Sequence, residues 1–253
     1  MAKDKRTKTT TTTATPPAAT AEQQPPPPSW PPFTKPTLPV VDLRLEPVVP
    51  EKVVVLRRFF PSSLCREYVS FLRGLPLQTT PGKPRRGMAV RVNDRYQIDD
   101  ASFARRLWTE TGLGEVVLLD GENSHLWGGE VIGLNPNIRV YRYTQGQFFD
   151  CHYDDSNNVS VLTESGSVVA AKTTWTLLLY LTSAAEGCVG GETVFYPERR
   201  FARSAPPKEE VAVTLETGMC LLHKHGDDCM LHEGREVTAG EKWVLRTDLC
   251  VRR

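Results

Sequence analysis

A regular alternation of apolar and polar residues in the second half of this 253-residue chain constrains its fold more than any other feature. The alternation recurs in four segments, which carry Ile138/Val140, Trp175/Leu177/Leu179/Leu181, Val211/Val213/Leu215 and Trp243/Leu245/Thr247/Leu249. A period of two is typical of strands with one buried face. Glycine-containing turns separate the segments and no helices alternate with them, so the pattern predicts an antiparallel sandwich or jelly roll rather than a parallel sheet.

Two amphipathic helices are predicted before these strands. Ser62 or Ser63 is expected to cap the first, and Asp100 is expected to cap the second, which would end at Gly112. Their apolar faces would pack against the sheet, and these faces carry Leu64, Tyr68, Phe71 and Leu72 in the first helix and Phe103 and Leu107 in the second. The fold class predicted is therefore mainly β with flanking α-helices. The apolar run after residues 112–114 is predicted to be a strand. The order would then be helix, glycines, strand, which is the reverse of a dinucleotide-binding motif and excludes such a loop.

The N-terminal region differs in composition from the rest of the chain. Twelve of the 20 prolines lie in the first 50 residues, while all 18 glycines follow residue 73. A threonine run ending at Thr13 and the proline-rich residues 25–32 cannot bury enough apolar surface to offset the entropy of ordering. The composition predicts a disordered Thr/Pro-rich tail over residues 1–45 and one folded domain over residues 46–253.

Charge and cysteine usage exclude several classes of protein. Because 31 Lys and Arg are balanced by 30 Asp and Glu, no basic surface is expected that would bind nucleic acid or an anionic membrane. The six cysteines are far apart and form no Cys-x-x-Cys pair, so buried free thiols are expected. Without a secretory segment or a long apolar run, the sequence predicts no membrane span and a location in the cytosol or nucleus.

The segment His152-Tyr153-Asp154 is the first candidate metal site. On an extended chain, residues two apart lie on one face, so this imidazole and carboxylate would be side by side. They make two thirds of a facial triad, the ligand arrangement that leaves iron positions open for small molecules. Since a lone His-x-Asp is more often a surface hydrogen bond, a second histidine is required.

His232 supplies that histidine, because it precedes a polar turn and a returning strand that bears Lys242. Lys242 alternates with Trp243 and Leu245, so it would face the interior on the opposite side, where an ammonium needs an anionic partner. A rival register uses His225 with Arg235, ten residues later, or the neighbouring His223; it is disfavoured because Arg235 lies in a polar stretch rather than on an apolar strand. His125 is interpreted as a structural or exposed residue.

Together these residues resemble the prolyl 4-hydroxylase-like branch of the Fe(II)/2-oxoglutarate-dependent dioxygenases, whose pattern is His-x-Asp, a distal His and a Lys ten residues beyond it. The resemblance extends from about Asn137 to Leu249 and includes the Tyr-x-Tyr before residues 146–149 and the glycine pair at residues 190–191. It implies a double-stranded β-helix (jelly-roll) core. It also implies Fe(II) held by His152, Asp154 and His232, with 2-oxoglutarate and O2 as co-substrates and ascorbate as reductant.

Further site residues follow from the same resemblance. Tyr143 matches the tyrosine that hydrogen-bonds the co-substrate, Lys242 would bind the distal carboxylate of 2-oxoglutarate, and Thr193 would lie near the same pocket. Residues 91–96 correspond to a mobile segment over the active site. The substrate contacts expected there are Arg91, Asn93 and Arg95. An ordinary surface strand or loop is an equally open interpretation of that segment.

The implied activity is hydroxylation of an unactivated C–H bond with release of succinate and CO2. A prolyl residue of a peptide or protein is the first candidate substrate, and another side chain, a small molecule or an alkylated base is the alternative. A hypothesis of another class is a catalytically inactive binding protein whose proline-rich tail binds SH3 or WW domains through the Pro-x-x-Pro spacings at residues 28–31 and 36–39.

Overall fold

The computed structural model describes residues 26–33, 42–80, 89–119, 125–163, 165–197 and 210–253. Within these ranges two antiparallel sheets form the core, and three α-helices cover one of them. The helices are α1 (Ser62–Leu72), α2 (Ala101–Glu110) and α3 (Leu113–Leu119). The predicted fold class, a mainly β jelly-roll with flanking helices, is confirmed.

The larger sheet contains ten of the described strands. In spatial order its main path is β1 (Leu45–Val49), β2 (Val53–Leu56), β14 (Cys220–Lys224), β10 (Val168–Tyr180), β17 (Lys242–Arg252), β7 (Asn137–Tyr143), β5 (Asp94–Asp99) and β3 (Gln78–Thr79). Two further strands branch from it: β6 (Val131–Leu134) pairs with β17, and β9 (Asn158–Leu162) pairs with β10.

The smaller sheet faces the larger one and contains five of the described strands. They are, in order, β13 (Val211–Val213), β12 (Thr193–Tyr196), β15 (Leu231–Gly234), β8 (Phe148–His152) and β4 (Arg91–Val92). A separate ladder joins β11 (Val189–Gly190) to β16 (Val237–Ala239). All four segments predicted from the period-two alternation contain strands of these two sheets.

The alternation along β10 and β17 separates two hydrophobic clusters. Leu177, Leu179 and Leu245 point to the helix side, where they pack with the apolar faces of α1 and α2. Tyr180 and Val244, one position out of phase, point to the space between the sheets. Each such leucine contributes about 2 kcal/mol by leaving water. The other face of the same strands is consequently free to carry polar groups into the interior between the sheets.

The helix predictions are partly corrected. Asp100 caps α2 as predicted, since its carboxylate accepts a 2.8 Å hydrogen bond from the Phe103 backbone N–H. The cap predicted for α1 is wrong. The N-cap residue is Pro61, which makes no side-chain hydrogen bond to the helix, and Ser62 and Ser63 lie inside the first turn. Pro61 is extended, with φ of −65° and ψ of 148°, so the helix begins directly after it.

The strand predicted after residues 112–114 is also wrong, because this segment forms α3. Its buried residues Leu113, Val116 and Val117 have the spacing i, i+3, i+4, which is a helical face. The Trp127 indole N–H donates to the Val117 carbonyl at 3.2 Å. Tertiary packing therefore fixes a short apolar run whose length alone does not distinguish helix from strand.

Residues 26–33 pack onto the domain although they fall inside the predicted tail. Trp30 is buried, its ring lies 4.2 Å from that of Phe103, and its indole N–H donates to Asp100 at 2.8 Å. Tyr68 donates to the Pro31 carbonyl at 2.9 Å. The Phe33 ring also packs against the rings of Phe60, Tyr68 and Phe103. The composition did not reveal this anchoring because only two aromatic residues within the proline-rich segment provide it. The threonine run and the Pro-x-x-Pro spacing at residues 36–39 lie outside the described residues.

Two smaller expectations can be compared with the structure. All six cysteines are free thiols, and five are buried while Cys151 is partly exposed. Among the described residues there is no helix whose length and apolar character would let it cross a bilayer.

Candidate active site

His152, Asp154 and His232 meet in a cavity between the two sheets. His152 ends β8 and lies directly opposite His232 of the paired strand β15, and Asp154 follows two residues after β8. The His152 Nε2 atom lies 3.7 Å from Asp154 Oδ1, and His232 Nε2 lies 3.8 Å from Asp154 Oδ2. One ligand atom from each of the three residues falls within 4.8 Å of the others, so the group can hold a metal ion.

The two histidines are held in the tautomer that a metal requires. The Nδ1 atoms of His152 and His232 lie 2.8 Å and 2.9 Å from the backbone carbonyl oxygens of Asp150 and Met230. Because a carbonyl only accepts hydrogen bonds, Nδ1 must carry the proton, and Nε2 presents its lone pair to the cavity. Burial lowers the pKa of His152 to about 3 and also lowers the pKa of His232, so both rings are neutral. This donor set fits Fe(II).

Asp154 is kept ionised by a cation on the opposite sheet. Its Oδ2 atom accepts hydrogen bonds from Arg246 Nη2 and from the Thr176 hydroxyl, both at 2.8 Å. Burial by itself would raise the pKa of Asp154, but the charge of Arg246 and the neighbouring histidines outweigh it and hold that pKa well below its usual value. Arg246 lies four residues after Lys242 on β17 and so shares its inward face, but only the fold brings the carboxylate of Asp154 to it.

Lys242 lies in the same cavity, and only 5% of its surface is exposed to solvent. Its ammonium donates to the Gly191 carbonyl at 2.6 Å and lies about 5.5 Å from the ring centre of Tyr180. Burial lowers the pKa of Lys242 to about 8. Gly191 has a φ of +76°, and a Cβ there would come within 3.1 Å of the Lys242 side chain, so a glycine permits this close approach. Among the described residues no carboxylate contacts this buried cation, so it provides a binding point for an anion.

Tyr143 and Thr193, which the resemblance assigns to the co-substrate pocket, also line this cavity. The Tyr143 ring lies 5.4 Å from the Lys242 ammonium. The Thr193 hydroxyl is 2.7 Å from the Tyr180 hydroxyl, which links it to the wall beside Lys242. The apolar side chains of Leu178 and Val244 complete this part of the lining.

The rival register is not supported by the geometry. Both ring nitrogens of His225 are engaged, Nδ1 with the Thr176 hydroxyl at 3.0 Å and Nε2 with the Thr173 hydroxyl at 2.9 Å. Arg235 pairs with Glu210 at the surface, at 2.6 Å. His125 is exposed. His223, which sequence reasoning set aside with His225, instead lines the cavity beside Asp154.

The three expected substrate contacts lie in different environments, and none lines the described part of the cavity directly. Arg91 packs over the rings of Tyr141 and Phe149, which do line it, at 5.9 Å and 5.1 Å. Arg95 lies 6.0 Å from the Tyr141 ring centre. Asn93 is fully buried and bonded to Thr80 at 3.0 Å. The segment forms β4 and the start of β5, which join the two sheets.

Comparison with known sequences identifies the same region. A model of the 2OG-Fe(II) oxygenase superfamily matches residues 138–247. Prolyl 4-hydroxylase 2 of Arabidopsis thaliana is 25% identical over 175 residues, which cover 63% of this chain and 56% of that protein. Probable prolyl 4-hydroxylase 4 of the same plant is 30% identical over 125 residues, covering 42% and 39%. The alignments thus span about half the length of these curated relatives or less.

Solved structures share the fold. The viral collagen prolyl hydroxylase from Paramecium Bursaria Chlorella virus-1 in its 2OG complex superposes with a TM-score of 0.51 at 16% identity, covering 79% of this chain and 96% of that one. A Trichoplax adhaerens prolyl hydroxylase in complex with a hypoxia inducible factor peptide gives 0.51 at 18% identity, covering 79% and 84%. Residues 138–247 thus match the 2OG-Fe(II) oxygenase superfamily in sequence, and the curated relatives of this chain are prolyl 4-hydroxylases.

Proposed function

We propose that this chain is a non-haem Fe(II), 2-oxoglutarate-dependent oxygenase that hydroxylates a prolyl residue of a peptide or protein, with release of succinate and CO2. The observation that carries the proposal is the convergence of two Nε2 lone pairs and one ionised carboxylate at one end of a cavity, with the buried ammonium of Lys242 also lining it. The three donors require a metal ion and the ammonium requires an anion, which the distal carboxylate of 2-oxoglutarate would supply.

Each residue has a distinct part in this function. His152, Asp154 and His232 would hold Fe(II), while Arg246 and Thr176 orient the carboxylate of Asp154 and preserve its charge. Lys242 would bind the distal carboxylate of 2-oxoglutarate, and Tyr143 and Thr193 would line the same pocket. Bound Fe(II) and 2-oxoglutarate, with O2, supply the oxidising chemistry, and ascorbate would serve as reductant. Leu178 and Val244 keep water from the site.

The prolyl substrate is proposed from the sequence relatives, whose names describe prolyl 4-hydroxylases. Arg91 and Arg95 place positive charge around Tyr141, beside the cavity, where a peptide could contact them. Asn93 is proposed only as a support for this segment, because its buried side chain bonds to Thr80. A peptide with acidic residues near its proline would suit this charge.

The test measures Fe(II)-dependent succinate formation with proline-containing peptides and with matched peptides in which alanine replaces proline. We expect turnover and a mass increase of about 16 Da only with the proline peptides, and loss of both in His152→Ala. His125→Ala is the matched control, since it removes an exposed histidine and should retain activity. If Fe(II) and 2-oxoglutarate bind but alanine peptides are hydroxylated equally, the prolyl assignment is wrong. Absence of any Fe(II)-dependent turnover would contradict the proposal that this chain is an Fe(II)-dependent oxygenase.

A further inference from the structure

His225 belongs to a buried hydrogen-bond network behind Asp154, and the function proposed above gives it no role. It follows β14 directly, and its backbone N–H donates to the Thr174 carbonyl of β10 at 2.9 Å. Its ring lies between two threonine hydroxyls, with Nδ1 3.0 Å from Thr176 Oγ1 and Nε2 2.9 Å from Thr173 Oγ1. The histidine and both threonines are buried. Since Thr176 also donates to Asp154, one hydroxyl links the ring of His225 to a proposed metal ligand.

A bulge in β10 lets both threonines reach the same ring. Residues three apart on a regular strand point to opposite faces, so Thr173 and Thr176 would not ordinarily share a partner. Between Thr173 and Trp175, however, two residues of β10 advance against one residue of β17. The extra residue restores the phase of the alternation, and both hydroxyls therefore point to His225.

The charge of Asp154 fixes the direction of each hydrogen bond in this network. An ionised carboxylate only accepts, so the Thr176 hydroxyl must donate its single proton to Asp154 Oδ2, at 2.8 Å. Thr176 Oγ1 can then only accept from His225, and Nδ1 therefore carries the ring proton. Burial lowers the pKa of His225, which keeps the ring neutral, and its Nε2 atom accepts from the Thr173 hydroxyl. The proton of Thr176 is thus committed to Asp154.

We propose that His225 is a positioning residue for the metal ligand Asp154 and that it acts through Thr176. The inference rests on the metal site of the proposed function. By donating to Thr176 Oγ1, the Nδ1–H of His225 holds the hydroxyl with its proton directed at Asp154 Oδ2. Thr176 and Arg246 together occupy Oδ2, which leaves Oδ1, 3.7 Å from His152 Nε2, for the metal. Loss of such a support behind a metal ligand costs about 10- to 100-fold in metal affinity.

The experiment is a titration of the metal-free full chain with Co(II), in competition with a chromophoric chelator, in wild type and in variants of His225. His225→Asn keeps an N–H donor at the level of Nδ1, His225→Gln carries its amide further out, at the level of Nε2, and His225→Leu has neither donor. We expect the leucine and glutamine variants to bind Co(II) about 10-fold more weakly, and the asparagine variant to bind as tightly as wild type. His125→Ala, at an exposed histidine, is the control and should leave the affinity unchanged.

A double-mutant cycle with Thr176→Val tests whether His225 acts through Thr176. Valine has the shape of threonine without the hydroxyl, so the proton that His225 positions is gone. We expect Thr176→Val to weaken Co(II) binding by at least about 10-fold. In that background His225→Leu should add less than about twofold, because the two residues act in one chain of hydrogen bonds. An undiminished loss in both backgrounds would overturn the positioning role.

Urea unfolding of the metal-free variants separates an effect on the metal site from an effect on folding. A purely structural histidine predicts that the asparagine and leucine variants of His225 lose stability but bind Co(II) equally well, and this result would overturn the proposal. Should His225→Leu not fold, the asparagine and glutamine variants carry the same comparison, since both keep a polar side chain. Affinities that do not change in any His225 variant would overturn the positioning role while leaving the proposed function intact. Co(II) binding that survives His152→Ala unchanged would instead contradict the metal site itself.

Discussion

Replacing Lys242 by methionine is expected to stabilise the protein in the absence of 2-oxoglutarate and to abolish its binding of 2-oxoglutarate. Methionine has a similar length and no charge, so it fills the space of the lysine stem between Gly191 and the rings of Tyr143 and Tyr180. The substitution separates two properties that this residue combines, the binding of an anion and the burial of a cation. Such opposition between stability and function is common at binding sites.

The magnitude follows from the pKa of Lys242. Burial lowers this pKa from 10.5 to about 8, and at about 1.4 kcal/mol for each tenfold change in proton affinity the buried charge costs about 3 kcal/mol at neutral pH. The variant also loses the hydrogen bond to Gly191, which reduces this gain in stability by about 1 kcal/mol. We therefore expect the variant to be about 2 kcal/mol more stable, which corresponds to a rise of about 4 to 8 °C in the melting temperature.

The pH dependence supplies the sharper test. Because the folded-state pKa of Lys242, about 8, lies below its ordinary value of 10.5, the unfolded chain binds the extra proton between these pH values. The free energy of unfolding of wild type must then rise with pH across this window, and that of the variant must lack this rise. The advantage of Lys242→Met should be full below pH 8 and be lost as the pH approaches 10.5.

Urea denaturation of the chelator-treated protein at about pH 7 and about pH 9.5 measures both effects. Lys172→Met is the control, because Lys172 is an exposed residue on β10 and its replacement should change stability little at either pH. A Lys242→Met variant less stable than wild type near neutral pH, or an advantage of equal size at both pH values, would refute the argument from the buried charge.

Other predictions address the co-substrate, the metal and the fold. The dissociation constant of 2-oxoglutarate, measured by calorimetry, should increase about tenfold per pH unit above the Lys242 pKa of about 8, and a flat profile would argue against Lys242 as its anchor. Arg246→Met should weaken Fe(II) binding by about 10- to 100-fold, because Asp154 loses its cation; unchanged affinity in a metal titration would contradict this role. Trp30→Ala should lower the free energy of unfolding by about 3 kcal/mol, and no change in the urea midpoint would show that residues 26–33 do not stabilise the domain. Gly218→Ala should sharply reduce the soluble folded yield, since φ is +82° and a Cβ would lie 1.9 Å from the Phe60 carbonyl oxygen; wild-type stability would refute it.

The strands and much of the site were predictable because they depend on local patterns. Alternation in β10 and β17 is imposed by a sheet with helices on one face and a second sheet on the other, so it is visible in the sequence. The spacing of His152 and Asp154, and the phase of Lys242 relative to Trp243, follow from the same two-residue period. The cap of α1 and the helical state of α3 did not follow, because proline geometry and packing on Trp127 determine them.

The parts of the site that escaped prediction depend on register between strands far apart in the chain. The small sheet carries His152 and His232 in facing positions of β8 and β15. The large sheet brings further side chains to the same cavity: Arg246 from β17, and Thr176 and His223 from the pairing of β10 with β14. No local pattern shows that Arg246 reaches Asp154, 92 positions earlier in the chain. Because ligands and supporting charges belong to different sheets, any change that shifts one sheet over the other should alter metal and co-substrate binding together.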